Sequence, residues 1–236
     1  MSSICLTFTS LITNARAASI CAAILASRTG TIAFISGWRT LILTLRRSAR
    51  TIDESFCANE NCHVYLLGDN GELSYDNIAW LKQNTEAADV LLVDAGDHIQ
   101  GTAYGSMDKG KTIIDLMNAA GYDLATLGNH EFDYGMEGAM NVIEWAEYPY
   151  ISANFYHEEN GVKVENVLPA YEIFEIGGRK IAFVGITTPE TFTKSTPAYF
   201  QDENGNYIYG ISGGENGVDL YSDVQAAVDA AKIEGA

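Results

Sequence analysis

The chain has 236 residues, with 31 acidic against 14 basic side chains and a formal charge of −17, and 47% of it is hydrophobic. That leaves room for one domain with a sizeable core. It speaks against a partner with a phosphate backbone, since the acidic body repels nucleic acid. Cys57 and Cys62 have the wrong spacing for a zinc ribbon and no second pair follows them, so the thiols read as incidental,.

Charge is unevenly distributed. Residues 1–52 hold six arginines, no lysine and no acid, and all four cysteines lie within the first 62 residues. The rest carries every carboxylate, so the formal charge swings from +6 to −23. Such a break predicts an atypical basic segment over 1–60, either disordered or the product of a shifted reading frame or a fused foreign stretch, ahead of a domain over 61–236. Arginines at 16, 28 and 39 divide the opening into uncharged runs of 15, 11 and 10 residues. All are short of the roughly 18 that a membrane span needs. The first 15 residues also lack the cations that precede the apolar stretch of a secretory signal.

Further on, Asn61-Cys62-His63 precedes the apolar run 64–67, and a helix is expected over 76–83. The continuous apolar run 90–93 reads as a fully buried strand and ends in Asp94-Ala95-Gly96-Asp97,. Residues 112–120 have helical apolar spacing and stop at Gly121, a suitable helix C-terminus,. Leu124-Ala125-Thr126-Leu127 then repeats the strand pattern and ends in Gly128-Asn129-His130-Glu131-Phe132-Asp133. Strand, helix, strand predicts parallel neighbours joined by a right-handed crossover, with both polar clusters at the carboxyl edge of one sheet. An amphipathic helix over 136–146 and a short strand over 150–153 follow. Gly177-Gly178 joins the strands 171–176 and 179–185 as a hairpin. The Asn- and Gly-rich stretch 202–217 reads as loop, and 218–234 as a helix presenting Val218, Tyr221, Val224, Val228 and Ala231 on one face. His98 and His157 are expected on solvated loops.

Asp94-Ala95-Gly96-Asp97-His98-Ile99-Gln100-Gly101 and Gly128-Asn129-His130-Glu131-Phe132-Asp133-Tyr134-Gly135 resemble the calcineurin-like metallophosphoesterases, most closely their 5'-nucleotidase branch. Ser152-Ala153-Asn154-Phe155 and Val184-Gly185-Ile186-Thr187 read like the same family, and the resemblance runs from about residue 65 to 236. It implies an α/β fold, a layered metallophosphoesterase-type sheet with flanking helices, here truncated. It also implies two divalent metal ions of the Mn, Zn, Mg or Ca type. Such a pair neutralises a phosphate ester's charge and activates a water for in-line attack. By resemblance Asp97 bridges the metals and Asn129 completes one shell. His130 faces the phosphoryl group or leaving oxygen as cationic stabiliser or acid, and Asp133 orients its ring. Asp94 would act as an outer acceptor that holds the ligands in place. Read as isolated residues, Asp97 also suits a helix cap or turn, Asn129 a turn, and His130 a core histidine. Glu131 receives no role.

Two departures stand beside the match. The family opens with Asp-x-His, and no Asp-x-His occurs in this sequence; His63 is the nearest imidazole ligand, with Asn61 where a carboxylate is expected. No histidine follows His157, whereas the family carries two later histidine motifs. The expected function is a metal-dependent phosphomonoester hydrolase of 5'-nucleotidase type, acting on a phosphorylated small molecule such as a nucleotide. The alternative is a catalytically inactive fragment or binding relic without a complete dinuclear site. A bare acidic surface-binding module is a third reading, for which only the charge speaks. Relatives of this type are often extracellular, periplasmic or on the cell surface.

Overall fold

Both faces of the run 90–93 are covered, and this organises the fold. In the computed structural model, the described residues are 20–26, 32–36, 40–45, 62–67, 79, 82, 83, 89–176, 179–213 and 217–236. Strand β5 (Asp89–Asp94) buries Leu91, Leu92 and Val93. It pairs antiparallel with β3 (Thr40–Leu45) and parallel with the short β6 (Leu124–Ala125). Helices α1 (Ala103–Met107) and α2 (Lys111–Ala120) form the crossover from β5 to β6, as the strand–helix–strand reading requires. Helix α2 turns Ile113, Ile114, Met117 and Ala120 inward. It ends where Gly121 enters the left-handed region (φ 77°) and donates its N–H to the Asn118 carbonyl at 3.0 Å,.

Among the described residues three sheets result, ordered β4-β3-β5-β6, β2-β1-β10-β9 and β11-β7-β8. Their remaining strands are β1 (Ile20–Ala26), β2 (Ile32–Ser36), β4 (Cys62–Leu67), β7 (Phe155–Glu159), β8 (Val162–Asn166), β9 (Tyr171–Ile176), β10 (Arg179–Gly185) and β11 (Tyr209–Ile211). β1 to β3 come from the basic segment 1–60, where β1 pairs with β10 and β3 with β5. The reading-frame origin suggested for that segment is a proposal about its coding DNA.

The stretch 150–153 differs from expectation. Only Tyr150 makes a bridge, parallel to Ala125. Ile151 then donates its N–H to the Ala125 carbonyl at 3.0 Å, and Ala153 donates to Gly185 at 2.8 Å. The chain crosses here from the β6 edge to the β10 edge, so it extends neither ladder. Its polar neighbours hold the crossing: Asn154 Nδ2 donates to the Thr187 and Ser212 carbonyls at 2.7 and 3.1 Å.

Three further expectations are corrected. The loop 202–217 contains β11, which pairs antiparallel with β7. His157 therefore lies within β7 opposite Tyr209, half-buried, rather than on a solvated loop. Helix α5 (Val218–Ile233) leaves Val218 and Tyr221 exposed. It meets the β10 side only from Val224 onward, where Ala227 and Val228 pack on Ala153 and Val184. Among the described residues no helix is long and apolar enough to cross a membrane.

Among the described residues a large core cluster lies between α2, α3 (Gly135–Trp145) and the loops that leave β5 and β6. Phe132, Phe155 and Phe200 are its fully buried aromatic centre, next to Ile99, Ile114, Met117 and Leu127.

Candidate active site

The loop after β5 turns sharply at two successive left-handed residues, Gly96 (φ 92°) and Asp97 (φ 63°). Glycine adopts this conformation freely, and aspartate tolerates it better than most residues. Asp94 stabilises the turn by accepting the Gly96 N–H at 2.8 Å,. The loop after β6 packs directly against it. A Cβ on Gly96 would fall 2.3 Å from the Gly128 nitrogen, and one on Gly128 would fall 2.2 Å from Asp97 Oδ1. Both positions therefore admit glycine alone without rearrangement.

This backbone contact brings the predicted residues together. His130 donates its N–H to Asp97 Oδ1 at 2.9 Å, so the buried Asp97 carboxylate sits against the turn that carries Asn129. A 3-10 turn at His130–Phe132 follows, and the His130 Nδ1 lies 2.7 Å from Asp133 Oδ2. A third loop, after β10, joins them through short helix α4 (Thr191–Lys194): the Ser195 hydroxyl donates to the Asn129 carbonyl at 3.3 Å. Burial lowers the proton affinity of the His130 ring, but the Asp133 hydrogen bond and charge, aided by Asp97 and Glu131, outweigh it. The ring's pKa is raised above the ordinary imidazole value.

Behind this edge lies a buried polar cluster centred on His98. Its side chain is 5% exposed, which corrects the expected solvated position. Nδ1 lies 2.8 Å from Asp94 Oδ1, and Nε2 lies 2.7 Å from the Tyr150 hydroxyl. Asp94, proposed as an outer acceptor, thus engages His98 and the Gly96 N–H. Burial opposes a charge on His98, but the carboxylates of Glu131 and Asp94, with the Asp94 hydrogen bond and Asp97 beyond, raise its pKa to about 9. Glu131 is wholly buried, and burial holds its carboxyl above the usual range against the opposing pull of His98.

A pH dependence of stability follows for metal-free protein. The pKa of His98 is higher folded than unfolded, so its stabilising contribution is complete below about pH 6.5 and is lost as pH rises through about 9,. The amount is on the order of 3 kcal/mol. Urea unfolding in the presence of a chelator should show a falling midpoint across that window, and His98→Gln should flatten it. The same slope in the variant would assign the effect elsewhere.

Asp94, Asp97, Asn129, His130 and Asp133 therefore share one edge. His63 falls in β4, opposite Thr44 of β3, and its side chain lies outside the described residues. Among the described residues no three His, Cys, Asp or Glu side chains come together as a metal-holding group. Glu131 and His98 went unrecognised in the sequence. The four-residue spacing from Asp94 to His98 was the available signal for the latter, whereas nothing local marked Glu131.

The family pattern described as calcineurin-like phosphoesterase matches residues 62–223, more than half of the chain and the whole of this edge. The chain belongs to the calcineurin-like phosphoesterases. Relatives within this family include the snake venom 5'-nucleotidase of Gloydius brevicauda, 39% identical over 119 residues. The 5'-nucleotidase of Bos taurus is also 39% identical over 119 residues. Each alignment covers 48% of this chain, which spans only 20% and 21% of those relatives. The solved structure of the Haemophilus influenzae NAD nucleotidase matches 68% of this phosphoesterase chain and 26% of its own, with 28% identity and a TM-score of 0.52. Calcineurin-like phosphoesterases generally use divalent metals, and the layered α/β sheet with flanking helices is the fold of this family.

Proposed function

We propose that this chain hydrolyses phosphate monoesters with the help of divalent metal, in the manner of a 5'-nucleotidase, and that its substrate is a phosphorylated small molecule of nucleotide type. The observation carrying this reading is the interlock of two loops that sets the buried Asp97 carboxylate beside Asn129 and the His130–Asp133 pair. The substrate class rests on relatives named 5'-nucleotidase.

The donor set suits a hard cation. Asp97 gives one oxygen to the His130 N–H, and its second oxygen has no hydrogen-bond donor among the described residues. Asn129, the residue before His130, is buried too and carries a neutral amide oxygen,. Asp97 and Asn129 would hold the ion, with His63 as the imidazole candidate. Bound divalent cations supply charge neutralisation and an activated water. His130 and Asp133 do the rest. With Nδ1 engaged by Asp133, the imidazolium proton that would serve a phosphoryl or leaving oxygen is the one on Nε2,. The hydrogen bond and charge of Asp133, which raise the ring's pKa, favour its protonated form.

Incubation of the purified chain with a chromogenic phosphate monoester tests the reading. Turnover should appear with Mn²⁺, disappear on chelation and return when metal is restored. Failure with Mn²⁺, Zn²⁺, Mg²⁺ and Ca²⁺ alike would instead favour a catalytically inactive member of the family.

A further inference from the structure

We propose that Glu131 is a positioning residue: its buried carboxylate gathers main-chain amides from both loops and thereby sets the direction of the Asp97 side chain. The proposal rests on the reading of Asp97 as a metal ligand. Glu131 Oε2 accepts the N–H of Asp97 at 2.8 Å and that of Gly128 at 2.7 Å, while Oε1 accepts the N–H of His98 at 2.9 Å. With 0% exposure, the group has no solvent to replace these partners. A buried carboxylate without compensation is strongly unfavourable, and three charge-assisted bonds provide that compensation.

The arrangement is reciprocal. Glu131 grips the main chain of Asp97, and Asp97 through Oδ1 grips the main chain of His130, the residue before Glu131. Two side chains and two backbones therefore close one ring of hydrogen bonds across the loops. Within that ring Asp97 is held at φ 63°, a region uncommon for residues other than glycine even though aspartate enters it more readily than most,. Loss of the Glu131 acceptor would release the Asp97 and Gly128 amides together and let Asp97 relax toward ordinary backbone angles. Glutamine is a poor substitute, because one of its two polar atoms is a donor and would oppose an N–H. The His98 ring packs against the same carboxylate, with Nδ1 3.6 Å from Oε1.

The test compares the full chain with Glu131→Gln by Mn²⁺ titration, thermal unfolding and residue-resolved amide hydrogen exchange. Mn²⁺ affinity should fall roughly 10- to 100-fold, the range for partners that orient a ligand. The amides of Asp97, His98, Gly128 and His130 should exchange faster, while those of Leu92 and Phe183 in the strands keep their rates. Val228→Ala, a core truncation in α5, is the control. It should lower stability and leave Mn²⁺ affinity unchanged, separating positioning from general destabilisation. Unchanged affinity in Glu131→Gln would overturn the proposal. If the unsubstituted chain binds no Mn²⁺, the metal reading has failed, and the exchange rates alone decide the positioning role: acceleration confined to those four amides supports it, and none or uniform acceleration defeats it. Should Glu131→Gln not fold, exchange in the unsubstituted chain decides. Protection of amides 97, 98 and 128 at the level of Leu92 supports the lock, and rapid exchange there defeats it.

Discussion

Truncation of His130 to alanine is expected to lower phosphate-ester turnover by about 10²- to 10⁴-fold while leaving divalent-metal affinity unchanged. The side chain is 32% exposed and its Nδ1 is engaged by Asp133 at 2.7 Å, the geometry of an acid whose ring is aimed by a neighbour. Asp133→Asn should produce a smaller loss and move the alkaline limb of the rate profile to lower pH, because the hydrogen bond and charge that raise the His130 pKa are then weakened. Steady-state rates across pH, with Mn²⁺ binding measured separately, check both effects. Equal losses of affinity and rate in His130→Ala would place the ring among the metal ligands and remove the assigned role.

The second large effect concerns stability. Phe132→Ala is expected to cost about 3–5 kcal/mol in a denaturant titration. Phe132 is wholly buried, packs edge-on to Phe155 with ring centroids 5.5 Å apart, and lies 5.3 Å from Phe200. It also sits between His130 and Asp133 in the chain, so the cavity left behind opens under the turn that pairs them. Turnover should therefore fall more steeply with temperature than in the unsubstituted chain. A loss below about 1 kcal/mol would mean that the aromatic cluster closes over the gap.

These effects fall on parts of the chain with very different visibility in the sequence. The run 90–93, the α2 pattern closed by Gly121 and the hairpin strands β9 and β10 were legible because each is set by its own period and punctuation. The helix read as 136–146 was found as Gly135–Trp145, displaced by one residue at each end. Strand β11 was hidden because its partner, β7, lies some fifty residues away and the intervening glycines and asparagines read as loop. The crossing at 150–153 has the composition of a strand, but it serves two sheets and completes neither. His98 looks solvated beside Asp97, yet its second partner is Tyr150, 52 positions later. Glu131 was invisible for a related reason: its partners are main-chain amides, and amides leave no mark in composition. Asp97, Asn129, His130 and Asp133 were legible through the motif words that carry them.

The touching backbones of Gly96 and Gly128 bear on how such motifs age. A side chain at either place would collide with the opposite loop, whether or not the protein still performs chemistry. The same holds for Glu131, whose departure would orphan three amides in the interior. A descendant that had abandoned hydrolysis would still be compelled to spell most of Gly-Asp and Gly-Asn-His-Glu simply to remain folded. The side chains of His130 and Asp133 are under no such compulsion, being half-exposed and outside the ring, which uses only the backbone amide of His130. Their pairing is the portion of the signature that architecture alone does not require.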